Sequence, residues 1–328
     1  MQWIWEVSSE PTRWYGAWQA TRGRSLLQDQ VAQEDRIGFE EIDRLLPQEA
    51  REAWWSDWIA EGASRTAAEF SPASSSYVSW SRWIHPSIDS QSLIDRIEQN
   101  GARKDSEATE RPLELRSRPI RELWDGYGRA LVRRVERGAG CSVGDRPVQV
   151  WLLMPHTGGG GWASMAPHWT RIDQTHLADR IAWEAMLTNS NPKLPELLRL
   201  LWLGIQPSLW RQGLPCVRHT QTLHDVRLTR DWLLLAAAAM VPMVLEAGES
   251  LELSGPAGEL LEPALAAWWP PAWEEPFHSG DRSRELAIGR LAELVRKFWD
   301  RQGPGGWIPC CQAMMAEPSP GWRPPSGW

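Results

Sequence analysis

The period of the apolar positions changes several times along this chain, and those changes predict a mixed but mostly helical protein. Residues 1–8 alternate loosely, as a strand would. A helix is expected over 38–61, where Pro47 suits a first-turn position and Gly62 a C-terminal stop. Residues 63–86 are serine-rich and read as loop, with a short strand near 77–83; Ser87 then caps a helix to Gln99. Over 119–138, Ile120, Leu123, Trp124, Tyr127, Leu131 and Val135 recur at spacings of three and four, an amphipathic stripe that Gly138 closes. Residues 148–154 form the clearest strand, 155–168 read as loop, and 177–187 read as a second strand, with helix as the competing reading.

Beyond the Asn191-Pro192 break the apolar runs lengthen. Helices are expected over 194–206, 231–247 (with Gly248 as its C-terminal cap), 257–269 and 281–300. Residues 303–328 are rich in Gly, Pro and Trp without a period, and are expected to be a disordered tail. The fold class that follows is α+β, mostly helical, with a small central sheet built near 148–154 and 177–187. The polar stretch 100–112 is the expected boundary between an acidic, Trp-rich region (1–100) and a main α+β domain (113–300).

Charge and composition sharpen this picture. The 328 residues carry a net charge of −7, which argues against a general nucleic-acid binder. The charge is unevenly spread: residues 29–61 hold ten Asp/Glu against three Arg, and residues 111–137 hold eight Arg against four Asp/Glu. Plain solvation is the preferred reading of the basic helix face, with docking against 29–61 as the alternative. The 24 Trp against 3 Tyr and 4 Phe, with only Lys104, Lys193 and Lys297 as lysines, fit a GC-rich bacterial genome in which Trp supplies the aromatic core. Stacking platforms for sugars are the competing explanation. The four cysteines show no CxxC spacing, and the N-terminus lacks a basic, then apolar, leader; both point to a reducing, cytoplasmic setting. The longest apolar run, 232–245, is shorter than the roughly 20 residues a membrane span needs.

Candidate chemistry is sparse. The glycine run at 158–161 follows a strand, but no Lys-Ser/Thr pair follows it as a phosphate loop requires. His156, His168 and His176 sit in or beside this connection without a metal-ligand spacing, so no metal and no cofactor is expected. Glu184, alone between Trp183 and Ala185 on an apolar stretch, is the other weak catalytic candidate: buried, it would serve as an acid or base.

The order helix, strand, Gly-rich connection, strand, Pro break, apolar helix over 119–206 resembles the layout around the active helix of zincin-type metalloproteases. That family carries HExxH on the helix, where this chain has LLRLL at 197–201. The resemblance therefore implies a degenerate, non-catalytic relative, and no site residue carries over.

The functional expectation is a non-enzymatic interaction or scaffold protein with a protein partner, without nucleic acid or membrane. Trp307, Trp322 and Trp328 in the tail are possible docking residues for it. The alternatives are a metal-dependent hydrolase assembled from His156, His168, His176 and Glu184 around 158–161, and a Trp-based carbohydrate module.

Overall fold

The computed structural model describes residues 1–7, 12, 106–143, 146–154, 161–163, 179–184, 193–218, 226–268, 280–302 and 306–316. In chain order its elements are β1 (Trp3–Val7), α1 (Ser106–Ala139), β2 (Val148–Leu153), β3 (Gly161–Ala163), β4 (Asp179–Glu184), α2 (Glu196–Arg218), α3 (Val226–Glu249), α4 (Ala257–Trp268), α5 (Gly280–Gln302) and α6 (Trp307–Ala316). The described part is 72% helical, so the α+β, mostly helical class holds. The expected helices at 38–61 and 87–99 and the strand near 77–83 lie outside the described residues. No helix among the described residues is long and apolar enough to cross a membrane.

The chain falls into two compact units. One comprises Trp3–Pro119 and Arg146–Leu187; the other comprises Met1–Gln2, Ile120–Asp145 and Thr188–Trp328.

The first unit holds the sheet, in the order β1-β2-β4-β3. β1, β2 and β4 run parallel, with Trp5 opposite Val150 and Val150 opposite Ile181; β3 runs antiparallel to β4. The glycine-rich stretch expected to be loop thus contains a short edge strand. Three residues without an apolar period carry no strand signal of their own, and only pairing with β4 defines them. The central strand β2 is buried on both faces except at Gln149, which explains why its apolar residues run on without alternation. On one face Trp5 meets Trp183 edge-on at 6.4 Å and stacks on Trp3 at 5.9 Å. The buried Thr12 closes the end of β2: its hydroxyl donates to the Leu152 carbonyl (3.4 Å) and accepts from the Met154 amide (3.2 Å).

The second unit is a helical assembly around α3, which packs against α2, α4, α5 and α6. Residues 235–245 of α3 are all buried, and the run Ala236, Ala237, Ala238, Ala239 lets neighbours approach closely. Pro242 lies inside this helix, where it removes the amide that Ala238 would otherwise bond. One residue earlier, the Ala237 carbonyl accepts from the indole of buried Trp202 at 2.8 Å, tying α2 to α3 at the weakened turn. The Trp299 indole ties α5 to α3 through Glu246 at 2.6 Å. Glu249 at the end of α3 accepts the Ala257 amide (2.9 Å) and so satisfies the free N-terminus of α4.

Several boundaries differ from expectation. α1 begins at Ser106, inside the polar stretch read as a boundary, and accommodates both Pro112 and Pro119. It is closed by Gly140, whose φ of 68° is the left-handed cap conformation, rather than by Gly138. Gly138 stays helical and faces Met243, whose Cγ would lie 3.1 Å from an added Cβ. Gly248 is likewise no cap: a Cβ there would stand 2.5 Å from Leu198 Cδ1, so its role is close approach of α2 to α3. Part of the expected disordered tail is α6, with Trp307, Cys310, Cys311 and Met314 buried. Its burial comes from α3 and α5, contacts that no local pattern announces.

Candidate functional site

Parallel strands deliver their carboxyl ends to one edge, and ligand sites of open parallel sheets sit outside that edge. Here β1, β2 and β4 end there at Val7, Leu153 and Glu184, and Leu153 pairs directly with Glu184. Side chains alternate between faces. The register therefore places Glu6, Gln149, Trp151, Leu153 and Glu184 on one face, and Trp5, Val150, Ile181 and Trp183 on the other.

Two carboxylates thus share a face. Glu6 accepts from the Gln149 amide and from the Trp151 indole at 3.2 Å. Glu184 is 0% exposed at the last position of β4, inward rather than outward, in contrast to the usual fate of a lone acid on an apolar strand. The backbone positions of the two acids are two strands and two residues apart, roughly 12 Å from the strand spacing and rise. The face thus carries one buried carboxyl at the edge and another further in, engaged by Gln149 and Trp151.

Of the four weak catalytic candidates, the structure places Glu184 alone. His156, His168 and His176 lie outside the described residues, as does the glycine run 158–161 apart from Gly161 itself, the first residue of β3. Among the described residues no three His, Cys, Asp or Glu side chains are grouped as metal ligands would be.

Residue-by-residue reading missed the Glu6, Gln149 and Trp151 network and the Thr12 tether. Glu6 and Thr12 bond residues about 140 positions away in sequence, so only the register between β1 and β2 relates them.

The stretch 197–201, matched above to the zincin motif, is buried throughout in α2. Its single polar residue, Arg199, is 1% exposed and lies against the Glu196 carboxylate, with Nε at 2.9 and 3.0 Å from the two oxygens. A buried guanidinium needs such a partner, and this pair orders the first turn of α2. One face of α2 also buries the Gln206 Nε2 and Trp210 Nε1 donors, neither of which has a hydrogen-bond acceptor among the described residues.

A second surface feature appears on α1. The amphipathic stripe is narrower than the sequence suggests: Ile120, Trp124, Leu131 and Val135 are buried, but Leu123 and Tyr127 are 43% and 42% exposed. Leu115, on the same helix, is 64% exposed. At 100° per residue, Leu123, Tyr127, Ala130, Arg134 and Arg137 form a continuous row at spacings of four, three, four and three. Arg129 and Arg133 are exposed beside it, and no exposed acid lies between Gly126 and Arg137. Glu136, the acid in that stretch, is turned to the loop after α1, where it accepts from the Val143 amide (2.9 Å) and the Ser142 hydroxyl (3.2 Å).

Cys141, Cys310 and Cys311 are free thiols. Burial pushes the Cys310 thiol up to about 12 and Cys311 well above its ordinary value. Cys141 is raised by burial, against the lowering effect of a hydrogen bond from Trp307. Raised thiols are poor nucleophiles at neutral pH, so none of the three suits covalent catalysis.

No protein-family model, no characterised protein and no solved structure matches this chain.

Proposed function

We propose that this is a non-enzymatic interaction protein that binds an acidic, aromatic-bearing segment on the outer face of α1. The observation that carries this reading is the row Leu123, Tyr127, Arg134 and Arg137, exposed along α1 with half-buried Ala130 among them. Single exposed apolar residues are ordinary, but here two fall on consecutive turns and lead into a cationic patch. Such a row offers apolar anchors first and charge-assisted hydrogen bonds beyond, the combination by which a helix face recognises a complementary helix. Free thiols at Cys141, Cys310 and Cys311 support a reducing, cytoplasmic setting.

Native affinity purification from the source cell tests this. Wild-type chain is expected to retain a stoichiometric protein partner, and Arg133→Glu/Arg134→Glu/Arg137→Glu to retain roughly tenfold less, the equivalent of about 1.4 kcal/mol. Equal recovery with both chains would sink the reading.

One observation favours a second reading, a hydrolase near the glycine run: the wholly buried Glu184 at the carboxyl edge of the sheet, paired with the residue from which β2 leads toward 155–160. Metal analysis of the same purified sample decides it. A stoichiometric metal that is lost in Glu184→Gln supports a hydrolase, and metal-free protein argues against one.

A further inference from the structure

We infer that α2 carries a buried binding site for a neutral, hydroxyl-type oxygen, built from Gln206, Trp210 and the Leu203 carbonyl within the helical unit. The site is separate from the α1 face and does not depend on what binds there. Its basis is a pair of donors that the fold buries and does not use.

Gln206 is 1% exposed and Trp210 2%. The Gln206 Nε2 and Trp210 Nε1 atoms are both buried without an acceptor among the described residues. A buried donor left unmet is destabilising and uncommon, and two of them on adjacent turns of one helix point to a shared acceptor. The same helix meets this need elsewhere. Its Trp202 indole donates to the Ala237 carbonyl at 2.8 Å, and Arg199 Nε donates to both Glu196 oxygens at 2.9 and 3.0 Å.

The local backbone adds an acceptor. Residues 203, 206, 207 and 210 are three or four apart in steps along α2 and form one patch of its surface. Gln206 and Trp210 are one turn apart, a rise of about 6 Å. Pro207 has no amide, so the Leu203 carbonyl lacks the donor that a regular helix would give it. Two donors and one carbonyl therefore lie within two turns. Pairing inside the patch does not complete them, because a bond from the Trp210 indole to Gln206 Oε1 leaves both Nε2 hydrogens over. Buried Gly213, three residues after Trp210, adds no side chain to this face.

The donor set defines the ligand. N–H groups do not ligate a cation. A buried anion needs a counter-charge, and Arg199, two turns earlier on the same side of α2, is already engaged by Glu196. A hydroxyl-type oxygen accepts two hydrogen bonds and donates at least one, which matches two donors and a carbonyl. Ordered water and the hydroxyl of a small organic molecule share this chemistry.

The test uses the full chain with ¹⁵N-labelled tryptophan, purified without denaturation. Trp210→Phe identifies the Trp210 indole signal by its loss. A cross-peak from that indole to a bound water proton, absent in Gln206→Met, would support the inference with water as the occupant. A neutral mass excess in native mass spectrometry, lost in Gln206→Met, would support it with an organic hydroxyl compound. In either case Gln206→Met is expected to lower the urea midpoint, whereas relief of an unmet donor raises it. A raised midpoint would overturn the inference. So would an occupant that proves to be an acid or a metal ion, or the absence of both the water cross-peak and a mass excess that depends on Gln206.

Discussion

At the scale of single residues, the helical unit depends on contacts that tie helices together or allow unusually close approach. Trp202 is one. Its indole bonds the Ala237 carbonyl, one residue before the Ala238 carbonyl whose helical donor Pro242 removes, and so ties α2 to α3. Trp202→Phe keeps most of the buried area and removes the hydrogen bond, so it is expected to cost about 1 kcal/mol, read as a lower urea midpoint with an unchanged slope. Gly248 is another. An Ala there would press on Leu198 and Ser254, since the Cβ would stand 2.5 and 2.9 Å from their side chains. Gly248→Ala should therefore destabilise by about 1–3 kcal/mol, although alanine is the better helix former. A gain in stability would show that α2 and α3 are not held at this separation.

At the scale of elements, α6 shows how an irregular sequence becomes ordered by its neighbours. Trp307, Cys310, Cys311 and Met314 are buried, and α6 packs on α3 and α5. Its thiols supply a prediction with a definite sign. Cys310 titrates at about 12 in the folded chain against the ordinary 9.0, so between those values the unfolded chain releases a proton that the folded chain keeps. Stability is therefore complete below pH 9 and falls as pH rises from 9 toward 12. Cys310→Ser/Cys311→Ser should flatten that decline, as read by thermal unfolding across this range. In native protein at pH 8, Cys310 and Cys311 are expected to resist alkylation while denatured chain reacts fully. Ready labelling would show that α6 detaches.

At the scale of the whole molecule, the sheet is the most non-local feature. β1 pairs with β2 across more than 140 residues, and Thr12 reaches the same strand. Removing residues 1–12 leaves one edge of β2, a largely buried strand, without its partner and unties its carboxyl end. Loss of solubility is expected, measurable as aggregation on concentration, because an unpaired apolar edge recruits other strands. Full solubility would mean that another segment covers β2.

How much was legible in advance varies with how local the cause is. β1, β2 and β4 were readable because alternation, or a short β-branched run, is written within a few residues. α2 to α5 were readable from their long apolar runs, although α2 continues to Arg218 past the expected end at 206 and α3 begins at Val226 rather than at 231. β3 and α6 were missed, because pairing with β4 and packing on α3 and α5 create them. Leu123 and Tyr127 were assigned to the core by spacing, since a row at intervals of three and four does not say how wide a neighbour's contact face is. Burial at Trp124, Gly128 and Leu131, with Leu123 and Tyr127 left outside, sets that width. Glu184 was noticed by its apolar surroundings, yet the face it shares with Glu6 follows from the parity of its pairing with Leu153. The sequence by itself determined the fold class, the positions of the central strands and the separation of acidic and basic segments, because periodicity and charge are local properties. Only the tertiary structure decided which carboxylates share a face and which apolar residues stay exposed, because register and packing join residues that the chain keeps far apart.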